Sequence, residues 1–521
     1  MSVSYTVQQR SIIEWVPEGT GHAVVIARAG TGKTWTALQA VRLMAPASDR
    51  TISVTMAMFN ADIAAETRGK LAADGLRAYA TTFHAAGWSA MLRAYPKIKL
   101  SGTGPKLYGA HKWDLIIENL DIPKTYQSFA HKAMSMAKQR AFGILHRMSD
   151  PVQWLKIVED FDLDTLISAD YLDSGIRPRE DIIKEGLQWA FKALKYSNEL
   201  LDSIADHDDQ IYGPLIRDLK LFESDWLIVD EAQDTNPARR LLARKMVKRN
   251  GRTLWIGDPK QSIYAFTGAD GDAMDIIIQE WQAKTFYLTK TFRCPKVAVR
   301  MVQQQYVPDF EAGDSNIEGE YLAISNEDFY KTESQKLTPQ TVFLCRNTAP
   351  LTKAAFRLLG QGIACYVEGK DIGADIIDLV NRWASVKTLR TLRERLQAYL
   401  EQQTAKLTQA GKDRQLESLN DRIETVNAVI EGLPKGATLD DLKAKVAELF
   451  QKTPKGEKPN RIRLMSIHRS KGLEAKTVVF LGRQTLIPSK FAKKPDQIAQ
   501  EDNLAYVGLT RVQEKLIEVH L

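Results

Sequence analysis

His22-Ala23-Val24-Val25-Ile26-Ala27-Arg28-Ala29-Gly30-Thr31-Gly32-Lys33-Thr34 reads as an apolar strand, a glycine turn and the opening of a helix. Glycines let backbone N–H groups close around phosphate oxygens, and a helix N-terminus adds its partial positive charge. In such a loop Ala29, Gly30, Thr31 and Gly32 supply backbone contacts. Lys33 reaches the β- and γ-phosphates, and the Thr34 hydroxyl holds Mg2+. The strict pattern has glycine where Ala27 stands, so the loop alone is an imperfect match. A second run, Trp226-Leu227-Ile228-Val229-Asp230-Glu231-Ala232-Gln233-Asp234, supplies the complement. An apolar strand delivers Asp230 to the metal, and Glu231 follows it, able to polarise an attacking water. An acidic strand end is usually only solvated. Paired with a phosphate loop it specifies an NTPase.

Outward from these two strands, further apolar runs occur at residues 51–57 and 253–256, and a second set at 286–288, 341–344, 461–466 and 477–481. Strands alternating with helical patterns predict parallel, helix-covered sheets, and two sets predict two α/β lobes. Two long helical stretches without strand signals interrupt them. One, near residues 87–213, has a basic first half (Lys112, Lys124, Lys132 and Lys138 among others) carrying Trp88, Trp113, Tyr126 and Phe129. That half is a candidate for duplex or backbone contact, and equally a solvated helical face. The other stretch, near 381–460, repeats Leu389, Leu392, Leu396 and Leu400, then Leu416, Leu419, Ile423, Val426, Ile430 and Leu433, at helical spacing. It predicts a helical hairpin broken at Gly411 whose apolar stripe is a packing seam rather than a partner-binding coil.

Composition sets outer bounds. The 521 residues exceed one ordinary core. No apolar run approaches the ~20 residues that cross a bilayer, and the N-terminus lacks the pattern of a signal peptide. The three cysteines, Cys294, Cys345 and Cys365, fit neither a metal pattern nor a disulfide framework. A reducing, cytoplasmic setting and no membrane partner are expected. The net charge of +7 suits a polyanionic partner without proving one.

Asp230-Glu231-Ala232-Gln233-Asp234-Thr235-Asn236 is narrower than a generic metal-binding strand end, and resembles the second motif of the UvrD, Rep and PcrA helicases of superfamily 1. The family's other motifs have counterparts in the same order. Val7-Gln8-Gln9-Arg10 resembles the glutamine motif, which implies Gln9 as the adenine reader. Thr81-Thr82-Phe83-His84 is similar to the motif closing the first strand group. In residues 256–264 the third motif implies Gln261 as γ-phosphate sensor, and Thr291-Phe292-Arg293 resembles the fourth. Residues 464–474, ending at Glu474, look like the fifth, and residues 504–511, ending at Arg511, like the sixth.

The resemblance implies two RecA-like motor lobes with a nucleotide clamped between them. Residues 1–86 and 214–285 would form the first, interrupted by a helical insertion at 87–213. Residues 286–380 and 461–521 would form the second, with a short insertion at 381–460. Lys33, Asp230, Glu231 and Gln261 are then catalytic from the first lobe, and Arg293 and Arg511 from the second. An arginine aimed at the γ-phosphate is worth roughly 10³–10⁵ in rate. Trp35, Phe292 and Glu474 complete the nucleotide contacts. Three positions depart from the family. Arg28 replaces a usual glycine, Trp35 a frequent arginine and Phe292 the usual tyrosine, which puts base selectivity in question more than hydrolysis.

The strand contacts implied by the resemblance are Phe59, Asn60, His84, Tyr264, Phe266 and His468. Aromatics of this kind stack on bases at about 1–3 kcal/mol each without reading sequence. The implied partners are single-stranded DNA and its junctions with duplex, together with accessory replication or repair proteins. The implied activity is ATP-dependent DNA unwinding with 3′→5′ travel. Two rivals remain. One is a translocase that displaces bound proteins without efficient unwinding; the other is an ATP-gated subunit of a defence or repair complex. Since the sequence ends just after the sixth motif, no fused nuclease is expected.

Overall fold

The computed structural model describes residues 5–45, 51–101, 111–161, 163–167, 171, 177–263, 271–383, 385–409, 413–451 and 460–521. The chain divides into two compact units: residues 1–27 with 32–288, and residues 28–31 with 289–521.

The first unit is built on a six-stranded sheet: β1 (Ala23–Ala27), β2 (Val54–Met58), β3 (Tyr79–Thr82), β4 (Ser224–Val229), β5 (Val247–Gly257) and β6 (Lys284–Leu288). The order is β3-β2-β4-β5-β1-β6 and every pair is parallel. Parallel strands need helical crossovers, which cover both faces, and both faces are therefore apolar. Ala23, Val25 and Ala27 pack with Met56, Ile228 and Ile256 on one side, while Val24 packs with Leu227, Val229 and Trp255 on the other. Residues 286–288 were expected to open the second strand set. They instead pair with β1, Val25 facing Phe286, and bury Phe286 and Leu288 in the first core.

Between β3 and β4 the chain forms the helical insertion, with its own core around Tyr126, Phe129, Phe142 and Trp154. Its aromatics at 126 and 129 are thus interior. Two of its basic residues, Lys112 and Lys138, are also interior. Lys112 Nζ lies 2.6 Å from Asp209, and Lys138 Nζ lies 2.7 Å from Asp209 and pairs with Asp206. Both lysines are therefore committed to folding, not to a nucleic-acid backbone. Two short strands, Lys99–Leu100 and Ile204–Ala205, tie the ends of the insertion together in parallel, where the sequence reading had no strand.

The second unit holds a seven-stranded, all-parallel sheet: β7 (Glu320–Ser325), β8 (Thr341–Cys345), β9 (Cys365–Glu368), β10 (Phe450–Gln451), β11 (Ile462–Ser466), β12 (Ala475–Leu481) and β13 (Val512–His520). Its order is β7-β13-β12-β8-β11-β9-β10. The helices Leu389–Gln409 and Asp413–Glu431 pack together as the hairpin reading requires, while the break assigned to Gly411 lies outside the described residues. Leu392, Leu396, Ile423 and Val426 are buried in the same core as Phe343 and Leu464, so the stripe is a packing seam. Asp421 fixes it by accepting the N–H groups of Thr348 and Ala349, at the start of helix Thr348–Gly360. Among the described residues no helix is long and apolar enough to cross a membrane.

Candidate nucleotide and strand site

In a parallel sheet the loops leaving the C-terminal strand ends share one edge. The phosphate loop follows β1, Asp230 follows β4 and Asp258 follows β5, so all three sit on that edge. Gly30 and Gly32 adopt φ of 69° and 81°, the left-handed region that glycine enters without steric cost. Gly32 caps helix Lys33–Met44 and, being glycine, brings no side-chain cap. A helix N-terminus attracts an anion, and Lys33 and Thr34 stand in its first turn.

Lys33 Nζ lies 3.6 Å from Glu231 Oε1, both largely sheltered. Glu231 itself has φ 51°, unusual for a residue with a side chain. That strain aims its carboxylate into a buried chain of hydrogen bonds. Gln233 donates to Glu231 through Nε2 and accepts the Asp258 N–H at 3.0 Å through Oε1. Asp258 in turn accepts from Gln261 Nε2 at 2.7 Å. Glu231 and Gln261, singled out separately from two motifs, are therefore joined through Gln233 and Asp258, which the sequence reading did not assign.

Gln9 is buried, and its Oε1 accepts the Thr6 N–H in a capping box that starts helix Val7–Glu18. Its amide nitrogen remains as the donor side. A Cβ on Gly32 would lie 3.5 Å from that nitrogen, so the glutamine stands beside the phosphate loop. Trp35 is half-exposed with its ring 5.6 Å from that of Tyr5.

Within the second unit, Arg28 pairs with Asp309 at 2.9 Å, the Ala29 N–H donates to Tyr506 Oη at 2.7 Å, and Thr31 Oγ1 bonds back to the Arg28 carbonyl. A Cβ on Gly30 would fall 2.6 Å from Arg293 Cβ, so only glycine fits there. Arg293 Nε lies 2.6 Å from Glu474, which also accepts from Gln513. Phe292 is exposed. Arg511 is buried and donates to the carbonyls of Val507 and Leu473. Asp309, which motif reading passed over, thus holds Arg28, while Tyr506 of the sixth motif holds the Ala29 N–H.

Of the expected strand contacts, Phe59 is partly buried beneath Arg239, whose guanidinium carbon sits 5.9 Å from the ring centre. Asn60 is exposed and caps helix Ala61–Ala73 through Ile63 N–H. His84 stacks on His207 at 4.0 Å and 16°. Burial, then His207 and Arg239, pushes the His84 pKa down to about 3. His468 is half-buried, and burial, then Arg346, lowers its pKa to about 4. Tyr264 and Phe266 lie outside the described residues.

The donor set fits Mg2+. Thr34 and Asp230 offer hard oxygens, and Mg2+ in nucleotide sites relies on one or two carboxylates plus phosphate and water. Among the described residues there is no cluster of three or more His, Cys, Asp or Glu suited to a metal.

Comparison with known proteins adds the family. Residues 6–281 match the UvrD/REP helicase N-terminal domain, and residues 270–519 the UvrD-like helicase C-terminal domain. The chain is 25% identical to YjcD of Bacillus subtilis (strain 168) over 386 residues, covering 56% of this chain and 51% of that protein. It is 28% identical to the ATP-dependent DNA helicase Rep of Escherichia coli (strain K12) over 109 residues, 20% of this chain and 16% of that one. To Rep of Buchnera aphidicola subsp. Schizaphis graminum (strain Sg) it is 36% identical over 83 residues, 16% of this chain and 12% of the relative. It spans about half the length of YjcD. With the two models together matching nearly every residue from 6 to 519, the chain belongs to the UvrD/REP helicase family.

Proposed function

We propose that this protein is an ATP-driven motor that travels along single-stranded DNA and separates the strands ahead of it, 3′→5′. The observation that carries the reading is the pairing of Lys33 with Glu231 at 3.6 Å beside a helix N-terminus left without a side-chain cap. A phosphate loop and a general base held together in this way suit phosphoryl transfer to water.

The loop N–H groups and Lys33 bind and neutralise the phosphates. Mg2+, when bound by Thr34 and Asp230, supplies charge neutralisation at the transferring phosphoryl group. Glu231 orients the attacking water and accepts its proton, and Gln261, reached through Gln233 and Asp258, reports the γ-phosphate. Arg293 and Arg511 are assigned to charge that develops in the transition state. Gln9 and Trp35 are assigned to the base. Phe59, Asn60, His84 and His468 are assigned to the strand. Three buried thiols fit work in a reducing cytoplasm.

One observation favours the translocase alternative. The second insertion buries its seam in the core of its own lobe, which suits a motor with little dedicated duplex-handling surface. A single series decides. ATP hydrolysis is measured with and without single-stranded DNA, followed by unwinding of duplexes with a 3′ or a 5′ tail. Unwinding from the 3′ tail alone supports the proposal. Stimulation without unwinding supports the translocase, and no stimulation rejects both.

A further inference from the structure

Residues 306–316 belong to no motif, yet they meet the phosphate loop in a closed ring of contacts. Arg28 donates from Nε to Asp309 Oδ1 at 3.1 Å and from Nη2 to Oδ2 at 2.9 Å. A guanidinium fork set on both carboxylate oxygens fixes orientation as well as charge. The next residue, Phe310, is fully buried with its ring edge-on to Tyr506, the centroids 5.9 Å apart at 84°. Tyr506 Oη returns to the loop by accepting the Ala29 N–H. The ring thus runs from Arg28 to Asp309, through Phe310 and Tyr506, and back to Ala29.

The turn that presents Asp309 is firm for local reasons. Pro308 is the second residue of Val307-Pro308-Asp309-Phe310, where its fixed φ suits a turn, and the Phe310 N–H closes on the Val307 carbonyl at 3.1 Å. Just beyond it the chain is stitched to the segment that carries Arg293. Glu311–Ala312 pairs in parallel with Lys290–Thr291, and the Gly313 N–H donates to the Thr291 carbonyl at 2.8 Å. Asn316 Nδ2 donates to the carbonyls of Thr291 and Cys294, one before and one after Arg293, at 2.9 and 2.8 Å. The Phe292 N–H in turn donates to the Gly30 carbonyl at 2.8 Å. Arg293 therefore follows a residue bonded to the phosphate loop and a strand bonded to the Asp309 turn.

We propose that Arg28 and Asp309 are positioning residues for ATP hydrolysis, their ion pair holding the phosphate loop in register with Arg293. This rests on the motor reading and adds to it a pair whose charges are spent on each other. An ordinary surface ion pair contributes little. Here the Arg28 side chain is only 11% exposed, and the Thr31 hydroxyl donates to the Arg28 carbonyl at 2.8 Å, so the pair acts on backbone that is already constrained. Loosening it shifts the loop against the arginine without removing any group from the site. Nucleotide binding draws on the loop N–H groups and is little affected, whereas the step that needs the arginine in place is slowed. The glycine usual at position 28 has no side chain to make the pair, so the contact is particular to this chain.

The test uses the full chain, with steady-state ATP hydrolysis at saturating single-stranded DNA, equilibrium binding of N-methylanthraniloyl-ATP, and a urea midpoint on each sample. A misplacement near 1 Å costs on the order of 10²-fold, and a loosened group less. Arg28→Gly and Asp309→Ala should therefore each lower kcat about tenfold, with KM and analogue affinity within a factor of about two. The double variant should fall no further than either single one, because both remove the same contact. Arg28→Lys, which keeps the charge but not the fork, should recover part of the loss. Losses that multiply in the double variant, a change confined to KM, or wild-type kcat in folded variants each overturn the inference alone. A wild-type chain that hydrolyses no ATP, with or without a strand, overturns the motor reading with it.

Discussion

Replacing Gln233 with leucine isolates the link between Glu231 and Gln261. Gln233 is 1% exposed, so leucine of similar volume fills its place while removing both hydrogen bonds. The Asp258 N–H, itself buried, then loses its acceptor, which costs about 1–3 kcal/mol of stability. Glu231 loses the donor that holds its carboxylate against the strained φ of 51° and shifts toward Lys33, 3.6 Å away. A displacement near 1 Å of a group that orients the nucleophile lowers turnover by about 10²-fold. Nucleotide binding rests on the phosphate loop and stays nearly constant. Steady-state ATP hydrolysis with saturating single-stranded DNA should show kcat reduced about a hundredfold with KM within a factor of about two. A urea midpoint on the same samples reads the stability loss. A folded variant that turns over at the wild-type rate would refute the idea that Gln233 positions Glu231.

Three further outcomes follow from the same geometry. Lys33→Ala should abolish hydrolysis while sparing most binding of single-stranded DNA; retained turnover counts against the phosphate-loop assignment. Asp209→Asn leaves Lys112 and Lys138 short of a buried counter-charge, so it should destabilise the insertion by about 3–5 kcal/mol, seen as accelerated amide exchange in residues 111–216. The depressed His84 pKa makes the unfolded chain bind a proton below pH 6.5 that the folded chain refuses until about pH 3. Stability is therefore intact above pH 6.5 and falls as pH drops through that window. From pH 7 to pH 5 the loss from this group is about 2 kcal/mol, and His84→Gln should remove that part of the slope in paired urea titrations.

The fold was readable where chemistry is local. An apolar run, a glycine turn and a helix start at residues 22–34 predict one βα unit regardless of context, and the two strand sets predict two parallel sheets. Membership of a strand in a sheet is a long-range matter. Nothing in Phe286-Tyr287-Leu288 says that it pairs with Val25–Ala27 some 260 residues earlier. Charge was ambiguous for a related reason. Lys112 and Lys138 look like a solvated or DNA-facing stripe until Asp206 and Asp209, distant in sequence, are brought to them by the fold. The candidate site divides in the same way. Lys33, Asp230, Glu231 and Gln261 sit in dense motifs, whereas Asp309 is a single acidic residue in a turn. Its significance comes from Arg28, which only the fold brings to it.

The central claim is directed motion along DNA driven by ATP. It is tested most directly by preloading the protein on oligo-dT strands of increasing length, each carrying a fluorophore at one end, and starting the reaction with ATP and Mg2+ in excess competitor. The account predicts that a 5′-end label reports arrival after a lag growing in proportion to strand length, and that a 3′-end label reports only departure. Signals independent of length at both ends, with ATP still consumed, would contradict it.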